Sequence, residues 1–108
     1  NIHDMVRVYQ HFLKNDEIES GFFNAGFENI SILDIAKKVQ KKIPSEIIIT
    51  SSNDPRSYRQ NSDKLLATGF KQKFNIEDAI EEIIQKFNSG TLTDEDIYYN
   101  LRVMKKIL

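Results

Sequence analysis

An α+β unit is the fold this sequence predicts, with four to five helices and two to three short strands. Two observations carry that reading. Apolar residues recur at helical spacing in several stretches bounded by capping and breaking residues. Between them lie two short runs, Phe22-Phe23-Asn24-Ala25 and Glu46-Ile47-Ile48-Ile49-Thr50, whose aromatic and β-branched content favours strands.

The first helix is expected over residues 4–14, where Met5, Tyr9, Phe12 and Leu13 share a face flanked by Val6 and Val8. A loop follows at Asn15-Asp16-Glu17 and Ser20-Gly21, then the strand ending before Gly26. Ser31 with Asp34 three residues on is a variant of the capping box and opens the second helix. Its apolar positions are Ile32, Ile35, Ala36, Val39 and Ile43; Lys37, Lys38, Lys41 and Lys42 lie mostly on the opposite face, and Pro44 ends it. The run at 46–50 is the buried-strand candidate. Residues 51–60 read as a polar loop with a possible extended piece at 57–59. Ser62 can cap a short helix through Leu66 and Ala67, closed by Gly69. Asn75 can cap the next, with core face Ala79, Ile80, Ile83, Ile84 and Phe87, solvent face Glu77, Glu81 and Glu82, and a stop at Gly90. Thr93 and Asp96 form another capping pattern, ahead of a last helix carrying Ile97, Leu101, Met104 and Leu108 on one face.

The totals bound the function. A chain of 108 residues suits a single domain, 1–108, and such a domain buries roughly two-thirds of its unfolded surface. A net charge of -1 supplies no field to recruit nucleic acid or an anionic membrane. The cysteine count of 0 excludes disulfides and thiol catalysis and fits a reducing cytoplasm. No apolar run approaches the roughly 18 residues of a membrane span. The chain opens on Asn1-Ile2-His3-Asp4, without an initiator methionine or a signal-peptide pattern, so the expectation is a fragment of a longer protein. His3 and His11 sit two helical turns apart and cannot share a metal ion, and neither has a partnered nucleophile, so no catalytic or metal-binding residue is expected. Asp4 reads as a first-turn carboxylate favoured by the helix dipole.

The binding candidates lie in the loop Asn53-Asp54-Pro55-Arg56-Ser57-Tyr58. A guanidinium meets adjacent phosphoryl oxygens with a planar fork of donors and stays charged near neutral pH. Pro55 fixes the backbone before Arg56, and Asp54 can organise the loop by accepting from its amides. The same tripeptide also serves as an ordinary turn with a solvated arginine. Phe27, in the exposed-looking stretch Gly26-Phe27-Glu28-Asn29, and Tyr58 are possible ligand contacts, because an aromatic face can stack on a nucleobase.

Several blocks in order resemble the extended short-chain dehydrogenase/reductase family over about residues 1–88. Asn1-Ile2-His3-Asp4-Met5-Val6 is similar to its His-Val-Asp-Asp-Val-Ala block, with departures at Asn1 and His3. Phe23-Asn24-Ala25-Gly26 resembles Tyr-Asn-Val-Gly, and Ile30-Ser31-Ile32-Leu33 resembles Val-Ser-Ile-Leu. Asp54-Pro55-Arg56 resembles Gly-Asp-x-Arg with Asn53 for Gly, and Asp63-Lys64 resembles the Ser-Lys helix start. Gly69-Phe70-Lys71-Gln72 resembles Gly-Trp-Lys-Pro, and Asn75-Ile76-Glu77-Asp78-Ala79-Ile80 resembles the closing helix. The resemblance implies a carboxy-terminal substrate-binding lobe (1–90, with 91–108 as a helical tail) of an NAD- or NADP-dependent nucleotide-sugar epimerase or dehydratase. It implies that Arg56 and Asp54 hold the diphosphate of a UDP-, dTDP- or GDP-linked sugar, and that the partner is a Rossmann half absent here. The chain itself has neither a glycine-rich dinucleotide fingerprint nor Tyr-x-x-x-Lys, so it is not expected to catalyse alone or to hold a cofactor. Loss of the Rossmann half should leave an apolar patch exposed, through which copies can self-associate. The alternative is a stand-alone, non-catalytic nucleotide-binding or interaction module.

Overall fold

The computed structural model describes residues 1–51, 53 and 55–107. Five α-helices follow in order: α1 (Ile2–Lys14), α2 (Ile32–Lys42), α3 (Asp63–Ala67), α4 (Ile76–Asn88) and α5 (Asn100–Ile107), with a 3-10 turn at Asp96–Tyr98 before α5. No strand occurs among the described residues, which corrects the α+β expectation: the architecture is helical.

The physical reason lies in where the three strand candidates place their hydrogen bonds. A strand exists only when a neighbour shares its backbone ladder. The segment after Phe22 is instead stitched to residues 60–62 by side chains. Gly26 N donates to Ser62 Oγ at 2.9 Å, and Ser62 Oγ donates back to Gly26 O at 2.8 Å. Asn29 brackets Gln60, accepting from its N–H at 2.8 Å and donating to its carbonyl at 2.9 Å. Ile48 and Ile49 in the other run are 75% and 77% exposed and Ile47 is only half-buried, so the run that suggested a buried strand is mostly open to water.

The helix signals fare better, because they are local. The Ser31 hydroxyl accepts from Asp34 N at 3.0 Å and starts α2. Asn75 and Asp78 form a reciprocal capping box at α4; such a cap contributes about 1 kcal/mol. Gly69 and Gly90 follow α3 and α4 at φ 88° and 72°, left-handed values that suit glycine at a helix end. Two details differ. Ser62 stands at the start of α3 but its hydroxyl is committed to Gly26 rather than to the helix. Thr93 bonds Glu95 at 2.6 Å, and the last helix begins only at Asn100. Leu108, assigned to its apolar face, lies outside the described residues.

Packing is sparse. Val8, Leu65 and Phe70 form the buried cluster, with Phe12, Phe23, Ala25 and Phe27 against it. The α1 face is therefore rotated from the expected one: Val8 is buried, whereas Tyr9 and Leu13 are 70% and 85% exposed. On α4 only Ile80 is buried, and Ile83 and Phe87 are exposed. Helices α2 and α4 lie together, and the lysine and glutamate faces read as solvated meet at their flank, with Lys38 on Glu77 and Lys42 on Glu81 at 3.1 Å. Among the helices, α5 approaches only the 3-10 turn, held by Arg102 and Lys106 on Asp96 at 2.9 and 2.8 Å.

The accessible area is 9423 Å², about 3,200 Å² more than a compact protein of this mass presents. The radius of gyration is 17.4 Å, against about 13 Å for a compact domain of this length. Only about half of the unfolded chain's surface is thus removed from water, short of the expected two-thirds. No described helix is long and apolar enough to cross a membrane.

Candidate functional site

Two chain segments distant in sequence build one cleft. Residues 26–29 form one wall and 59–63 the other, with Leu66 of α3 at its base, enclosing about 350 Å³. The walls are fixed by the Ser62–Gly26 and Asn29–Gln60 bonds and by Asn24 Nδ2 donating to Asn61 O at 3.2 Å. Glu28 anchors the first wall to α4 by accepting from Ile76 N at 2.8 Å. The Gln60 carboxamide occupies the space a Cβ at Gly26 would take, so any larger residue there would have to displace that side chain.

Phe27 lies in this cleft. Its ring stacks on buried Phe70 at 5.5 Å and 18° and is itself half-buried. Arg59 projects from the second wall and is exposed. Asp63 also lines the cleft and accepts from Asn61 Nδ2 at 2.8 Å. Arg56 is exposed on the loop that leads into the second wall, three residues before Arg59. Tyr58 is 79% exposed and outside the cleft walls. Asp54 lies outside the described residues. Of the four sequence candidates, the structure puts Phe27 in the cleft, and Arg56 and Tyr58 are not among its lining residues. Sequence reasoning missed Arg59, Asn29 and Ser62. Ser62 had been read as a helix cap, and the Asn29–Gln60 match spans 31 residues, beyond any local pattern.

A second feature underlies the first. Asp4, expected as a first-turn carboxylate favoured by the helix dipole, does lie in the first turn of α1 but is 1% exposed. It accepts from Phe74 N at 2.8 Å and from Lys73 N at 3.1 Å, and pairs with Arg7. Burial pushes its pKa up, but the Phe74 and Lys73 amides and the Arg7 guanidinium outweigh that and hold it below the ordinary value. Arg7 also lies over the Phe70 ring, 5.3 Å from its centroid. Asp4 thereby clamps α1 to the strip at 70–74, and Phe70 in turn backs Phe27.

A larger groove of about 610 Å³ runs along α1 and residues 15–25, lined by Met5, Val8, Tyr9, Phe12, Phe23 and Ala25 among others. Asn15, Asp16, Glu19 and Ser20 line it as well, so its apolar helix side meets a polar loop. The described residues contain no group of three His, Asp or Glu side chains placed to hold a metal ion. His11 donates to or accepts from Thr68 Oγ1 at 2.8 Å, and His3 meets Glu82 at 3.0 Å, so both histidines tie helices to neighbouring segments.

No protein-family model matches this chain, and no solved structure matches it. The resemblance to the extended short-chain dehydrogenase/reductases thus rests on the sequence blocks alone.

Proposed function

We propose that this chain is the substrate-binding lobe of a nucleotide-sugar epimerase or dehydratase and grips the nucleoside diphosphate of a UDP-, dTDP- or GDP-linked sugar. One observation supports the reading: Phe27, chosen from sequence, lines a cleft whose walls are bonded together and whose second wall begins at Arg59, three residues after Arg56 in the chain. An aromatic face beside a guanidinium-bearing loop suits a ligand with a base and a phosphate. Binding the remote nucleotide end is how such a lobe would orient a sugar over a reacting centre supplied elsewhere.

The chain's own residues do not fit NAD or NADP. A dinucleotide seat needs a strand, a glycine-rich turn and a helix N-terminus, and the described residues provide no strand for it. Any nicotinamide chemistry belongs to a preceding half of the parent protein, and no step is assigned to it here.

The test is calorimetric titration of the chain with UDP, dTDP and GDP. Arg56→Ala should weaken the preferred diphosphate by about 10- to 100-fold, the loss expected for charge-assisted hydrogen bonds. Absence of heat with all three nucleotides would sink the binding role.

The second reading, a module that works by docking on another protein, is favoured by the excess area and by the apolar groove on α1. The mass of the natural gene product separates the two. A product well above 12.6 kDa is expected for the lobe; a product of this size, eluting as a dimer or larger on gel filtration, would favour the docking module.

A further inference from the structure

We infer that the cleft between residues 26–29 and 59–63 seats the nucleoside monophosphate portion of the ligand, with Arg59, not Arg56, as the cation on its inner phosphate. The inference rests on the nucleotide reading above and assigns residues within it.

Four observations carry it. First, the walls are preset. The Asn29 and Ser62 side chains each make a donating and an accepting bond across the gap, so a ligand need not order them on entry. Second, Phe27 is stacked on Phe70 and is one of the residues that line the cleft. A half-buried, backed ring is a stacking platform that loses little freedom when a planar base covers it. Third, the Arg59 guanidinium makes no ion pair or hydrogen bond among the described residues, whereas Arg7, which backs Phe70, is committed to Asp4. Arg59 therefore keeps its full fork of donors for an anion. Fourth, the same cleft offers a carboxylate, Asp63, held by Asn61 at 2.8 Å. A carboxylate repels phosphate but accepts from sugar hydroxyls, so base, ribose and phosphate each meet a suited group.

Size sets the division of labour. A space of about 350 Å³ lies at the small end of ligand pockets, enough for a nucleoside monophosphate and not for a whole sugar nucleotide. The chain from Arg59 back to Arg56 spans at most about 10 Å. Arg56 is then placed for the outer phosphoryl group, where the ligand leaves the cleft.

The test titrates the chain with the mono- and diphosphates of uridine, thymidine and guanosine. Arg59→Ala should weaken the preferred monophosphate and its diphosphate alike, by about 10-fold or more, while Arg56→Ala weakens only the diphosphate. Arg59→Lys, which keeps the charge but loses the fork, should fall between Arg59→Ala and wild type. Amide chemical-shift changes on adding the monophosphate should centre on residues 26–29 and 59–63. Should the wild type bind and Arg59→Ala bind equally well, or the shifts fall elsewhere, the assignment of Arg59 is overturned while the nucleotide reading stands. Should the wild type bind none of the six nucleotides, both fall together. Arg59 is exposed, so its variants should retain the wild-type circular dichroism and melting profile.

Discussion

Leu65→Ala should destabilise the chain by about 2–5 kcal/mol, the range for truncating a fully buried leucine. Leu65 is 0% exposed and lies at the centre of the cluster with Val8 and Phe70. Domains of this kind have only about 5–15 kcal/mol in total. This one removes an unusually small share of its surface from water, so it belongs near the bottom of that range. The substitution removes buried methyl groups packed against Val8 and Phe70 and leaves a cavity between them. In urea denaturation the midpoint should fall sharply, to the point that the variant is largely unfolded without denaturant. Leu66→Ala is the control, because Leu66 is 42% exposed; its loss should be well under that of Leu65. Equal effects at the two positions would show that α3 contributes by helix propensity and not by packing. The same variant should blur the cleft, since Leu65 supports Phe70 and Phe70 supports Phe27.

Asp4→Asn should cost about 1–3 kcal/mol near neutral pH, because it leaves the part-buried Lys73 and Phe74 amides and Arg7 with a poorer acceptor. Asparagine keeps the shape and one acceptor oxygen but removes the charge. The pH dependence gives the diagnostic. The folded carboxyl titrates below its ordinary value. Its contribution is therefore complete above the unfolded value of about 3.9 and is lost as the pH falls through the folded value. The stability gap between wild type and Asp4→Asn should be constant from about pH 7 to pH 5 and should narrow below about pH 4. Denaturation curves across that range measure it. A gap that stays constant down to pH 2 would mean that the carboxylate's charge contributes nothing and that shape alone matters.

Both predictions concern the same strip, 70–74, and that strip is where local reading and three-dimensional fact part company. From sequence, Gly69-Phe70-Lys71-Gln72 is a helix stop followed by a turn. In the fold its amides at Lys73 and Phe74 need an acceptor, and the nearest is a carboxylate 69 residues earlier at the start of α1. Nothing in the spacing of either segment announces the match. The resemblance quoted both blocks, but as separate landmarks and not as partners.

The candidate site shows the same division. Phe27 stood out in the sequence as an aromatic in an exposed-looking stretch, yet in the fold it packs against the Val8, Leu65 and Phe70 cluster while lining the cleft. Arg56 stood out as the guanidinium in a proline-bounded loop but does not line the cleft. Arg59 carried no signal, because an arginine in a polar loop is the commonest of surface residues. It becomes a candidate only because it lines the same cleft as Phe27 and Asp63. The strand candidates erred for the complementary reason. Glu46-Ile47-Ile48-Ile49-Thr50 has the composition of a buried strand, yet composition supplies no second strand, and Ile48 and Ile49 face water.

What the sequence by itself determined is what depends on neighbours a few residues away. Ser31 with Asp34 and Asn75 with Asp78 start two helices, Pro44 bounds one, and Gly69 and Gly90 end two more. In each case the hydrogen bonds or dihedral angles concerned lie within one turn. What only the tertiary structure decided depends on groups brought together from afar: that α1 buries Val8 and not Tyr9, that Asp4 is a buried clamp, that no ladder forms, and that Arg59 shares a cleft with Phe27. Such contacts are selected by which surfaces find partners on folding. In this chain about half of the surface finds none, so the periodicity that forecast a full core overestimated how much of it would close.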